Sequence, residues 1–136
     1  MLRPKHLFHD GQGFLAERLG FGGLTQIARL VAFGGEIPQL VVVGTGYPVH
    51  WTKTQPFRVR DYVPAGWRPE HPSGQAGGFL GFVCEELIPW VETEYRVDPK
   101  DRCYMGGSLG GLFGLYALFA RPGTFSHYLI GSPGIH

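Results

Sequence analysis

The most informative stretch of the sequence is Cys103-Tyr104-Met105-Gly106-Gly107-Ser108-Leu109-Gly110-Gly111-Leu112-Phe113. Its beginning, from Cys103 to Met105, predicts a short β-strand, and the apolar segment from Leu109 to Phe119 predicts a helix. The pattern Gly-x-Ser-x-Gly lies between them, with Ser108 at its centre. A serine at a strand-to-helix junction is typical of a sharp turn that exposes its hydroxyl, and small neighbours let the two elements approach closely.

This position favours a nucleophilic role for Ser108. The backbone N–H of Leu109 would lie at a helix N-terminus, where unpaired donors and the helix dipole stabilise a developing oxyanion. The alternative is a glycine-rich structural turn. Phosphate-binding loops are excluded, because no lysine follows these glycines and neither they nor Gly44-Thr45-Gly46 have the G-x-G-x-x-G register.

Strands and helices alternate outward from this stretch. The run Leu40 to Val43 is continuously apolar and mostly β-branched, which predicts a strand buried on both faces, as in a parallel sheet. The other predicted elements are strands at residues 7–9 and 127–130 and helices at residues 24–33 and 79–95. This alternation predicts one α/β domain over residues 1–136, with a central parallel sheet of about four strands.

Two regions break the regular alternation. Residues 49–78 are rich in proline, glycine, arginine and aromatic residues and predict a long loop, which in a compact domain is more often functional than filler. Pro89 lies inside the helix predicted at residues 79–95. It predicts a kink there, because proline removes a backbone donor and its ring collides with the preceding turn.

Composition excludes several classes of function. Twelve basic residues oppose 11 acidic ones, for a net charge of +1, so neither a nucleic-acid surface nor a polybasic membrane patch is expected. The uncharged stretch from Cys103 to Ala120 contains too many glycines for a membrane span. Because no apolar signal-peptide core follows Met1, the sequence predicts a cytoplasmic protein. Cys84 and Cys103 form neither a disulfide framework nor a metal-binding pattern, and no cofactor is expected.

The sequence resembles the putative-esterase group of α/β-hydrolases, which includes the esterase D and enterochelin-type siderophore esterases. The resemblance implies a three-layer α/β-hydrolase core. It extends in the correct order over nearly the whole chain, through the segments Phe8–Gln12, Pro38–Pro48, Arg58–Pro64, Gly78–Leu80, Glu86–Pro89, Glu94-Tyr95, Gly107–Phe113 and Ser132-Pro133.

The resemblance also implies a mechanism. Ser108 would attack the carbonyl of a small-molecule ester, of the siderophore type or another, and form an acyl-enzyme. The backbone N–H groups of Leu109 and Gln12 would hold the oxyanion. Neither a metal ion nor a cofactor takes part in this chemistry.

A serine nucleophile needs a base and a carboxylate that orients it, and in this fold both follow the serine along the chain. No Asp or Glu follows Ser108, since the last acidic residue is Asp101. His127 is expected at the wrong end of its strand, and His136 is the last residue. The resemblance therefore implies that the acid and base lie beyond residue 136.

The chain would then correspond to the central part of the fold, truncated at both ends. Its exposed sheet edges would favour self-association. Two functions stay open: a serine esterase, and a catalytically incomplete fragment or binding module that keeps the fold without the triad.

Substrate-binding candidates come from the segment between the second strand and the second helix. Tyr47, Arg60 and Tyr62 are the candidates for contacting a substrate, and the guanidinium of Arg60 suits a carboxylate or a catechol. The favoured alternative for Arg60 is an ion pair with Asp61 that anchors the long loop. The aromatic rings either line a cleft or pack on the sheet.

Overall fold

The computed structural model describes residues 5–10, 40–49, 51–70 and 74–135. Its strands are β1 (Lys5–Asp10), β2 (Leu40–Thr45), β3 (Arg102–Ser108) and β4 (His127–Pro133). Its helices are a 3-10 turn (Trp51–Lys53), α1 (Gln55–Tyr62), α2 (Ala76–Phe82), a π-helical turn (Val83–Leu87), α3 (Ile88–Glu94) and α4 (Leu109–Ala120). The helix predicted at residues 24–33 lies outside the described residues. Within these ranges, no helix has the length and apolar character needed to cross a lipid bilayer.

The four strands form one parallel sheet in the order β2-β1-β3-β4. The predicted parallel sheet of about four strands is thus confirmed. Because every strand runs the same way, the carboxyl ends of all four meet at one edge of the sheet. This edge carries Asp10, Thr45, Ser108 and Pro133. Ligands of open parallel sheets bind beyond this edge.

The burial predicted for β2 is wrong. The residues Leu40 to Val43 are half-buried rather than enclosed on both faces, because β2 is an outer strand of the described sheet. A continuous apolar run therefore does not by itself distinguish a central strand from an outer one.

The predicted loop at residues 49–78 contains a helix that the sequence analysis missed. The helix α1 begins with Pro56 in its first turn, where the missing backbone N–H costs nothing. Its buried residues are Asp61 and Tyr62. Since these two are adjacent at the end of the helix, the sequence shows no apolar stripe at helical spacing.

The helix predicted at residues 79–95 begins three residues earlier and is divided in three. The perturbation expected at Pro89 is present, but it takes the form of a π-helical turn that ends just before α3. The N–H of Ile88 donates to the carbonyl of Val83, five residues back. This wider turn places Pro89 in the first turn of α3, where its missing donor is tolerated.

The core is aromatic and joins α4 to the sheet. Tyr104 on β3 packs against Phe113 on α4, with ring centroids 5.9 Å apart. Phe113 also contacts Tyr62 at the end of α1, at 5.6 Å, and Phe79 on α2, at 5.1 Å. These rings fix α4 against the carboxyl half of β3, where Ser108 lies.

Candidate active site

Ser108 occupies a strained bend between β3 and α4. Its backbone angles are φ 54° and ψ −119°, a conformation that costs a non-glycine residue about 1–3 kcal/mol. The residue is exposed, and its side chain makes no capping hydrogen bond to the helix. The predicted sharp turn is present, and the Ser108 hydroxyl is not occupied in capping α4.

The glycines around Ser108 are explained by close contacts. A Cβ on Gly106 would lie 2.5 Å from the carbonyl oxygen of Gly110, so no side chain fits there. A Cβ on Gly111 would lie 3.0 Å from the Cα of Pro133. Gly107 differs, since its Cβ would meet its nearest neighbour at an ordinary 3.7 Å. The absence of a side chain at Gly106 therefore lets β3 approach the backbone of α4, and its absence at Gly111 lets α4 approach β4.

Backbone contacts with β4 hold the bend from one side. Gly134 donates its N–H to the carbonyl of Ser108 at 3.0 Å. The pairing of the two strands is irregular at this level, because Gly107 pairs with Gly131 and Ser108 with Pro133. The extra residue, Ser132, has a positive φ of 42°. Two strained serines thus lie on neighbouring strands at the carboxyl edge of the sheet.

The structure places one predicted oxyanion donor beside Ser108. Leu109 is the first residue of α4, whose twelve residues align their peptide dipoles toward this end. The other predicted donor, Gln12, lies outside the described residues. It follows Asp10, the last residue of β1, and β1 neighbours β3 in the sheet. Neighbouring strands are about 4.8 Å apart, and His9 of β1 pairs with Met105 of β3, so the end of β1 at Asp10 lies beside the carboxyl half of β3.

The predicted substrate-binding residues Tyr47, Arg60 and Tyr62 are brought together near the end of β2. Arg60 donates two hydrogen bonds to Asp61, of 2.6 and 2.9 Å. Tyr47 donates its hydroxyl to Asp61 at 3.0 Å. Tyr62 is only 1% exposed and exchanges a hydrogen bond with Thr45 at 3.2 Å. The ion pair that the sequence analysis favoured for Arg60 is therefore present, and Tyr62 lies in the core.

The Tyr47 phenol is held neutral. Burial raises the pKa of Tyr47 most, and the nearby Tyr62 and the hydrogen bond to Asp61 raise it further. A neutral phenol keeps its proton and so continues to donate to the Asp61 carboxylate. Arg60 and Tyr47 together compensate the charge of Asp61, which is 8% exposed.

The candidate bases do not approach Ser108. His127 begins β4 opposite Cys103, five residues before the level of Ser108, which is about 16 Å along a strand. It lies 2.9 Å from Ser126 Oγ and 3.7 Å from Asp101 Oδ1. His136 lies outside the described residues. Over the described ranges, no three His, Cys, Asp or Glu side chains come together as a metal site.

Tyr104 is a residue of this site that the sequence analysis missed. Its hydroxyl donates to the carbonyl of Gly110 at 2.6 Å across the bend. The available signal was strand alternation, since Tyr104 and Gly106 share the face of β3 that meets α4.

Comparison with known proteins gives consistent matches. A family model described as Putative esterase matches residues 4–136. Ferri-bacillibactin esterase BesA of Bacillus subtilis (strain 168) is 38% identical over 133 residues, covering 85% of this chain and 44% of that protein. The crystal structure of the BES protein from Bacillus cereus superposes with a TM-score of 0.75 at 31% identity, covering 98% of this chain and 50% of the other.

A fungal structure agrees with these matches. The siderophore hydrolase EstA from Aspergillus nidulans superposes with a TM-score of 0.77 at 29% identity, covering 98% of this chain and 48% of the other. The chain thus spans about half the length of the relatives it matches. The chain belongs to the Putative esterase family, with the parallel sheet and strand-to-helix serine turn of an α/β-hydrolase fold.

Proposed function

We propose that this chain carries the nucleophile and part of the oxyanion site of a serine esterase. The Oγ of Ser108 attacks the carbonyl carbon of an ester, and its proton passes to a general base. The carbonyl oxygen takes up negative charge and is held by the N–H of Leu109, with the N–H of Gln12 as the second donor. The tetrahedral intermediate then expels the alcohol, which takes the proton, and an acyl-enzyme remains for water to hydrolyse.

The observation that carries this proposal is the conformation of Ser108. Ser108 is strained and exposed, and its side chain does not cap the helix that follows. This conformation lowers the stability of the fold, whereas an ordinary turn would not. Membership in the Putative esterase family supports the same interpretation. The general base is a group other than His127, the one histidine whose side chain is described, because His127 lies at the opposite end of its strand.

Two relatives and the exposed side chain of Arg60 support a proposal for the class of substrate. The Bacillus subtilis relative is a ferri-bacillibactin esterase, and EstA is a siderophore hydrolase. We therefore propose a siderophore-type ester as the substrate. Arg60 is exposed, so its guanidinium can contact an anionic or catechol group while its hydrogen bonds to Asp61 hold it in place.

Covalent labelling tests the nucleophile. The chain is incubated with a fluorophosphonate, and the modified residue is located by mass spectrometry of the intact protein and its peptides. Wild type is expected to gain one phosphonyl group at Ser108, and Ser108→Ala is expected to gain none. The matched control is Ser126→Ala, which removes another exposed serine hydroxyl and should be labelled like wild type. Equal labelling of Ser108→Ala, or no labelling of wild type, contradicts the proposal.

Ester turnover separates catalysis from acylation alone. With p-nitrophenyl acetate, an acyl-enzyme that cannot be hydrolysed releases one equivalent of p-nitrophenol, whereas a complete catalyst continues to release it. Both signals should disappear in Ser108→Ala. A single equivalent without turnover would favour the catalytically incomplete form that the sequence analysis left open.

A further inference from the structure

One buried hydrogen bond crosses the bend at Ser108. It joins the hydroxyl of Tyr104 to the carbonyl of Gly110 at 2.6 Å. Tyr104 lies four residues before Ser108 on β3, and Gly110 lies two residues after it on α4. Tyr104 is 5% exposed, so water does not compete well for this bond. The bond therefore ties the strand directly to the first turn of the helix.

The ring of Tyr104 fits closely into the space left by the missing side chains of two glycines. A Cβ on Gly106 would lie 2.7 Å from the Tyr104 hydroxyl, and one on Gly114 would lie 2.6 Å from ring atom Cε1. On its other sides the ring meets Phe125, at a centroid distance of 5.3 Å, and Phe113, at 5.9 Å. This close packing holds the ring in one position, with its hydroxyl directed at the carbonyl of Gly110.

We propose that Tyr104 is a positioning residue for Ser108. Its hydroxyl holds the first turn of α4 against β3, and thereby keeps the strained backbone of Ser108 and the N–H of Leu109 in the geometry that attack requires. A strained conformation persists only where its surroundings over-determine it. The bond from Gly134 restrains the bend from the side of β4, and Tyr104 restrains it from the core. This inference rests on the proposed function of Ser108.

Tyr128 offers a matched control for this role. It lies on β4 in the same aromatic cluster, 6.1 Å from the ring of Tyr104. Its buried hydroxyl makes no hydrogen bond of ordinary geometry among the described residues. The variants Tyr104→Phe and Tyr128→Phe therefore each remove one buried hydroxyl from one cluster, but only the first releases α4.

The test measures the two variants and wild type under conditions where thermal unfolding shows all three to be folded. Hydrogen exchange with mass spectrometry reports on the peptide that covers residues 106–114, and fluorophosphonate labelling gives a rate constant for Ser108. We expect Tyr104→Phe to exchange faster in this peptide but not in α3, and to be labelled about 10–100-fold more slowly, as for a small misplacement of a reacting group. Tyr128→Phe should match wild type in both measurements.

Two results overturn the inference. One is wild-type labelling of Tyr104→Phe. The other is exchange in residues 106–114 that is unchanged, or that rises only as much as in the rest of the molecule, because a purely structural loss would loosen all parts alike. If wild type is not labelled at all while exchange rises locally in Tyr104→Phe, the structural restraint stands and the proposed nucleophile falls.

Discussion

At the scale of single residues, the site depends on where side chains are absent. The Cβ that Gly106 lacks would lie 2.5 Å from a backbone oxygen of α4, whereas the one that Gly107 lacks would have an ordinary contact at 3.7 Å. The two neighbouring glycines therefore differ in what they tolerate. The free space at Gly107 leaves room for a side chain at this position.

We predict that Gly106→Ala destabilises the protein and that Gly107→Ala does not. The new methyl group at residue 106 must push β3 and α4 apart, and overpacking of this kind costs about 1–3 kcal/mol. The measurement is urea-induced unfolding of both variants beside wild type. Equal midpoints for the two variants would show that the close approach at Gly106 does not constrain the fold.

The residue scale also shows the limits of sequence analysis. The pattern around Ser108 could be predicted, because glycine on both sides of a serine at a strand-to-helix junction is typical of a close backbone approach. The burial of Tyr62 could not be predicted, because an aromatic residue in a polar segment suits a cleft and a core equally well. The contacts of Tyr62 with Phe79 and Phe113, at centroid distances of 5.4 and 5.6 Å, show that it lies in the core and not in a cleft.

At the scale of elements, ionic contacts attach α3 to the sheet. Arg102, the first residue of β3, lies 2.7 Å from Glu92 on α3 and donates a further hydrogen bond of 3.2 Å to the carbonyl of Thr124. Both side chains of the ion pair are partly buried, with exposed fractions of 20% for Arg102 and 26% for Glu92. The contact fixes the segment before β3 and the turn before β4 in relation to each other.

We predict that Arg102→Ala lowers the free energy of unfolding by about 1.5–3 kcal/mol, the usual range for hydrogen bonds to charged groups. The control is Arg121→Ala, which breaks an exposed pair with Glu85 and should have no measurable effect, since exposed pairs contribute little. Both are measured by urea unfolding at two salt concentrations. A loss in Arg121→Ala as large as in Arg102→Ala would contradict this ranking.

A helix or strand can be predicted from the sequence where its apolar residues recur at the spacing of that element. The strand and helix on either side of Ser108 were found, with boundaries that moved by a few residues. The helix α1 was missed because its two buried residues are adjacent rather than spaced by a helical turn. Pro89 was identified as a perturbation, but the form that it takes depends on the hydrogen bond between Ile88 and Val83, which no sequence pattern reports.

At the scale of the whole molecule, the sheet has two outer strands. Among the described residues β2 and β4 each pair with one neighbour only. On β4, Leu129 is 56% exposed, and an exposed apolar outer strand favours pairing with another chain. We therefore propose that the chain can self-associate through a sheet edge.

We predict that Leu129→Lys shifts the protein toward the monomer, because a charge on the outer strand opposes edge-to-edge pairing. The measurement is sedimentation velocity over a range of protein concentrations. Leu118→Lys serves as the control, since it adds the same charge at an exposed leucine on α4. If both variants reduce self-association equally, or if the wild type is monomeric at all concentrations, β4 is not the surface through which the chains associate.

The contact between Gly106 and Gly110 has one further consequence. The bend at Ser108 needs a strand and a helix already packed together, with the ring of Tyr104 seated between two glycines. A newly made or partly folded chain therefore carries a serine no more reactive than any other. For the proposed nucleophile, reactivity at this one hydroxyl would then require complete assembly, and a phosphonate that marks it would also count the correctly folded molecules in a sample.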